Sequence, residues 1–208
     1  MFPTCLHPTV SQSVAGSSPR VGVLALQGDV REHAAVLDEL GATVVEVKKP
    51  AQLRDLDALI IPGGESSVID KLSRIFGLST PLMEFIRSGK PVLGTCAGLI
   101  LLSNTVEDAI EGQQSFGGLD VVVRRNAFGA QVDSFEVDLE MPAMSADTIA
   151  ATFIRAPIVE KVGEGVEVLA ELNDGRIVAV KQGNVVGISF HPEINGEIAV
   201  HEYLLSLI

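Results

Sequence analysis

Basic residues are scarce in this chain. Fifteen lysines and arginines stand against 27 aspartates and glutamates, which leaves a formal net charge of −12 and a pI near 4.7. A nucleic-acid partner would need clustered Lys and Arg to neutralise phosphates, so no nucleic-acid ligand is expected. The acidic surplus reads as a solubilising surface. Cysteine is scarcer still: Cys5 near the N-terminus and Cys96 in mid-chain are the two present. They lie in unlike contexts, no disulfide is expected, and a reducing, cytoplasmic setting fits. Long apolar runs are missing as well. No stretch approaches the roughly 18 residues that a membrane-spanning helix needs, so no membrane partner is expected. Internal repeats and low-complexity tracts are also lacking.

What is present is one domain's worth of alternating pattern. Residues 1–20 carry Pro, Ser, Gly and Thr with little periodicity and no signal-peptide core, and read as a disordered N-terminal extension. Residues 21–208 read as a single domain. Val21–Leu26, Thr43–Val47, Ala58–Ile61 and Pro91–Leu93 read as strands. Between them Asp29–Leu40, Glu65–Phe76 and Pro81–Ser88 read as helices. That alternation implies a parallel sheet covered on both faces. After Gly117 the texture changes. Leu119–Arg124, Val132–Leu139, Ala150–Ile154, Glu167–Leu172, Ile177–Gln182 and Val185–Phe190 read as successive strands, with hairpin turns at Asn173-Asp174-Gly175 and Gln182-Gly183-Asn184. A closing helix is expected over Gly196–Leu207.

Three segments carry chemistry. Gly94-Thr95-Cys96-Ala97-Gly98 follows a short apolar strand and opens into Leu99-Ile100-Leu101-Leu102. A nucleophile between two glycines at a strand-to-helix turn is held in a strained conformation and exposed at the carboxyl end of the sheet. The turn also sets the sulfur at a helix N-terminus. Ser189-Phe190-His191-Pro192-Glu193 ends a β-branched run, and Pro192 lacks the N–H needed to continue a ladder. A lone strand-end histidine is more often packed or solvated. Beside a cysteine elbow, His191 and Glu193 complete a nucleophile, base and orienting carboxylate. Ala58-Leu59-Ile60-Ile61-Pro62-Gly63-Gly64-Glu65-Ser66 is a third strand running into a tight turn. Its glycines let backbone N–H groups approach a ligand. With the N–H of Ala97, the Gly63-Gly64 turn is the candidate oxyanion hole, although the same residues also read as a plain turn with a serine cap.

The elbow, Pro-Gly-Gly-Glu-Ser and His-Pro-Glu, in this order, resemble the triad-type glutamine amidotransferases. Leu24–His33, Arg125-Asn126-Ala127-Phe128-Gly129, Gln131–Phe135, Phe153-Ile154-Arg155-Ala156-Pro157 and Ala179–Gly183 narrow the resemblance to glutaminase subunits of pyridoxal 5′-phosphate synthase, over about residues 20 to 207. Ala127 departs from that pattern, where a small hydroxyl residue is expected. The resemblance implies an α/β, three-layer, flavodoxin-like class I amidotransferase fold, with a mostly parallel mixed sheet and an antiparallel portion. It implies that L-glutamine is hydrolysed to glutamate and ammonia by Cys96, His191 and Glu193 through a γ-glutamyl thioester. Gly64, Glu65, Ser66, Arg125, Ile154 and Arg155 are the implied substrate-binding residues, with Ala97 and Gly64 donating to the oxyanion. Neither a cofactor nor a metal is expected. The implied partner is a (β/α)8-barrel synthase subunit, in a large hetero-oligomer, that consumes the ammonia. Alternatives are the glutaminase subunit of another amidotransferase, or a non-catalytic subunit that binds a partner.

Overall fold

The computed structural model describes residues 18–127, 134–144 and 148–208. Cys5 and residues 1–17 of the extension expected over residues 1–20 lie outside the described residues, as do Phe128-Gly129 and Gln131–Asp133.

Strands β1 (Arg20–Leu24), β2 (Thr43–Val47), β3 (Ala58–Ile61) and β4 (Val92–Thr95) pair in parallel in the order β2-β1-β3-β4. β12 (Val185–Ile188) joins β4, again in parallel. Beyond it the sheet turns antiparallel through β11 (Ile177–Gln182), β9 (Ile158–Val162) and β6 (Leu119–Arg124), with β5 (Ser103–Glu107) at the edge and β10 (Glu167–Glu171) on β11. β7 (Ser134–Glu140) and β8 (Thr148–Ile154) form a separate antiparallel pair.

Every residue of β3, β4 and β12 is buried, as expected of central strands covered on both faces. Alternate residues feed two cores. Val21, Val23, Ile60, Leu93, Val186 and Ile188 point toward Leu37 of α1 (Val30–Glu39), Val200 and Leu204 of α5 (Ala199–Ser206), and the β7-β8 pair. Leu59, Ile61, Val92 and Val185 point the other way, toward Ile69 of α2 (Ser66–Ile75), Leu82 and Phe85 of α3 (Ser79–Arg87), and α4 (Ala97–Leu102). The result is the three-layer arrangement read from the alternation. The turns at Gly175 and Gly183 adopt the left-handed φ that short hairpins require, 83° and 58°.

Several boundaries differ from expectation. β1 starts one residue early: Arg20 N–H donates to Asp57, and Pro19 O accepts from Thr43. α5 starts at Ala199 rather than Gly196, whose φ of 67° is not helical. β5 and β9 were not anticipated. β5 is a largely exposed polar edge strand, and β9 carries Glu160-Lys161, so neither shows an apolar run.

The parallel strands share one direction, so β1, β3, β4 and β12 end at one edge of the sheet. Gly94 pairs with both Ile61 and Gly187, and Thr95 pairs with Ile188. That register gathers the segments after those strands: Gln27–Asp29, Gly63–Ser66, Cys96 and His191–Glu193.

Candidate active site

Cys96 sits between β4 and α4 with φ 48° and ψ −98°, a conformation that L-residues with side chains rarely adopt. Its N–H donates to Ile188 O at 2.8 Å, tying the elbow to the end of β12. The flanking glycines are steric requirements. A Cβ on Gly98 would overlap the Ile61 carbonyl oxygen, and one on Gly94 would come within 2.6 Å of Gly98 backbone. Only with both absent can α4 fold back against β3 and β4. Ala97 opens α4, so its N–H has no intrahelical acceptor.

His191 is 4% exposed, and its N–H donates to Thr152 O at 2.8 Å. Its Nδ1 lies 2.8 Å from Glu193 Oε1, and 3.3 Å from Asp29 Oδ2. Burial disfavours the charged ring. Hydrogen bonds with Asp29, Cys96 and Glu193 outweigh that penalty, and the imidazole pKa is pushed up to about 12. With Nδ1 facing carboxylates, Nε2 is the nitrogen left for Cys96. Burial pushes the Glu193 carboxyl up, against the hydrogen bond from His191 that pulls it down.

Behind Glu193 lies a buried polar chain. His33 Nε2 is 3.6 Å from Glu193 Oε1 and 3.1 Å from Thr95 Oγ1, and His33 Nδ1 meets His201 Nε2 at 2.9 Å. Burial, then the neighbouring His201 and His191, hold His33 well below its ordinary value. Burial brings His201 to about 4, despite a backbone contact with Glu197 that favours its charged form. Both rings are neutral at pH 7, so one nitrogen of the pair donates to the other.

A cleft of about 380 Å³ opens in front of Cys96 and His191. Gly64, Glu65, Ser66, Arg125, Ile154 and Arg155, all expected at the substrate, line it. So do Gln27, Asp29, Ile100, Asn126 and Ile194, which were not singled out. Glu193 is buried behind the ring. Arg125 does not stand alone in the cleft: it donates to Glu65 Oε1 at 2.7 Å and to Gln113 Oε1 at 3.1 Å, and Gln113 donates to Ser66 Oγ at 3.0 Å. Gln27 Oε1 accepts the Glu65 N–H at 2.7 Å. The neighbouring Arg124 does not line the cleft and pairs with Glu160 instead. Of the four described non-glycine residues with positive φ, Cys96, Asn126 and Arg155 line this cleft, so backbone strain is concentrated there.

Among the described residues, Asp29, His191 and Glu193 are also close enough to share a cation. A protonated Nδ1 between two carboxylates offers no lone pair to a metal, so the set favours a charged imidazole over a metal centre.

A strained cysteine at a helix start, an imidazole beside it, a carboxylate behind the ring and an Ala97 N–H without an intrahelical acceptor are suited to covalent acyl transfer. The SNO glutamine amidotransferase family matches residues 23–208. The chain is 60% identical over 188 residues to the pyridoxal 5′-phosphate synthase subunit PdxT of Leifsonia xyli subsp. xyli, covering 90% of this chain and 95% of that protein. To the subunit of the same name from Clavibacter sepedonicus it is 55% identical, covering 93% and 92%. Among solved structures, a glutamine amidotransferase superposes with a TM-score of 0.84 at 47% identity, covering 90% of this chain and 97% of that one.

Proposed function

Because this chain belongs to the SNO glutamine amidotransferase family, we propose that its cleft hydrolyses L-glutamine and that the ammonia supplies pyridoxal 5′-phosphate synthesis through a partner synthase subunit. The extended identity to the PdxT subunits supports the pathway. The single observation that carries the chemistry is the juxtaposition of the strained Cys96 elbow with His191, whose other nitrogen meets Glu193.

In this reading His191 Nε2 already holds the proton given up by Cys96, in keeping with its raised pKa, and the sulfur attacks the side-chain amide carbon of glutamine. The amide oxygen becomes an oxyanion, held by the N–H groups of Ala97 and Gly64; one such donor is worth roughly 3 kcal/mol. The imidazolium returns its proton to the departing nitrogen, ammonia leaves, and a γ-glutamyl thioester remains on Cys96. Water, deprotonated by the now neutral His191, then releases glutamate and restores the Cys96–His191 pair. Glu193 holds the ring and stabilises its charged form.

Arg125 and Arg155 are candidates for the α-carboxylate of glutamine, through charge-assisted contacts. The Glu65–Arg125 pair suggests that Glu65 orients Arg125 as well as accepting from the α-ammonium. The (β/α)8-barrel form of the partner, a large hetero-oligomer and a cytoplasmic setting belong to the same proposal. No helix among the described residues is long and apolar enough to cross a membrane.

The test is pyridoxal 5′-phosphate formation by the synthase subunit with glutamine as nitrogen source. Product is expected only when this chain is present, and ammonium salts should bypass the requirement. Glutamine-dependent formation without this chain, or none with it, would contradict the reading.

A further inference from the structure

The His191 imidazole has a second carboxylate. Glu193 Oε1 is 2.8 Å from Nδ1, and Asp29 Oδ2 is 3.3 Å from the same nitrogen. Asp29 occupies the N-cap of α1, where aspartate ordinarily accepts an N–H from the first turn. It makes no side-chain cap hydrogen bond. Its carboxylate faces the imidazole instead, and lines the cleft.

The surrounding backbone permits this approach. The Asp29 N–H donates to Gly63 O at 3.3 Å. Gly28 has φ +105°, and a Cβ there would overlap the Gly63 carbonyl oxygen. A Cβ on Gly63 would in turn strike His191 Cε1 and come within 2.6 Å of Asp29 Oδ2. Two glycines in contact thus make room for one carboxylate to reach one ring.

We propose that Asp29 is a positioning residue for His191, sharing the Nδ1 proton with Glu193 from the cleft side. The inference rests on the reading of His191 as the proton carrier. The two carboxylates have different settings. The Glu193 side chain is fully buried and its Oε2 has no hydrogen-bond partner among the described residues, whereas the Asp29 side chain is 35% exposed. Glu193 fixes the plane of the ring from the core. Asp29 adds a negative charge at the solvent side, where it favours the charged ring that later gives its proton to the departing nitrogen. The other titratable groups facing the ring are Cys96 from the elbow and His33 from α1, and His33 is held neutral by burial. Asp29 is therefore the charge whose removal alters the ring without opening the core.

The test compares Asp29→Asn, Asp29→Ala and His191→Asn in the full chain with excess synthase subunit. Glutamate release is measured across pH 5–10, together with thermal stability. Both Asp29 variants are expected to keep the melting temperature and KM of the parent. Their kcat should fall about tenfold, and the loss of rate on the alkaline side, where the imidazolium gives up its proton, should set in at lower pH than in the parent. An unchanged kcat and pH profile would overturn the inference, as would a loss of rate accompanied by a matching loss of stability. Parent-like turnover by His191→Asn would instead remove the premise that His191 carries the proton.

Discussion

Three buried histidines, His33, His191 and His201, lie in one connected network and hold opposite charge states. His191 is surrounded by partners that favour its charge, while His33 and His201 are buried with only neutral contacts between them. The consequence for stability has a definite sign. A histidine whose folded pKa is depressed is fully compatible with folding above about pH 6.5, the unfolded value. As pH falls toward the folded value the unfolded chain binds the proton first, and stability is lost. For His201, with a folded value of about 4, the loss between pH 6.5 and 4 amounts to at most about 3 kcal/mol. The melting temperature of the parent should therefore fall over that window, and His201→Gln should flatten the fall. An identical pH dependence in the two proteins would refute this account of the buried pair. None of this was legible in the sequence, where His33 and His201 are ordinary helix positions 168 residues apart. Asp29 gave no signal of this role either, because an aspartate at the start of a helix reads as an ordinary cap.

At the level of elements, the elbow works because β3, β4 and α4 approach without side chains between them. Gly98→Ala should be severe for that reason, since its Cβ would overlap the Ile61 carbonyl oxygen and backbone must move. A loss of about 1–3 kcal/mol in unfolding free energy is expected, and glutamate release should drop further than stability explains, because the shift displaces Cys96. Equilibrium denaturation alongside activity measures both, and a stable, fully active Gly98→Ala protein would show that the close approach is not required. The elbow and the His-Pro-Glu strand end were legible because their chemistry needs local residue patterns. β5 and β9 were not. Their pairing with β6 is decided by the sheet around them, and their own residues are polar or charged along much of their length. The Glu65–Arg125–Gln113–Ser66 linkage was hidden for a similar reason: it joins α2 to loops far along the chain.

On the scale of the whole molecule, the sheet's common strand direction turns four separated segments into one cleft. Gln27–Asp29 follows β1, Gly63–Ser66 follows β3, Cys96 follows β4 and His191–Glu193 follows β12. The βα alternation was enough to foresee a parallel half with helices on both faces, and the hairpin turns were enough to foresee the antiparallel half. The strand order, which sets β12 directly beside β4, could not be read from either. It decides everything at the site, because it brings a histidine from near the C-terminus to a cysteine in mid-chain. The claim that this junction is the reacting centre is tested most directly by steady-state glutamate release from Cys96→Ala, with the synthase subunit in excess and its binding measured in parallel. The account predicts that binding is retained while glutamate release falls by about a thousandfold or more. Release within about tenfold of the parent, from a folded and partner-bound Cys96→Ala chain, would contradict it.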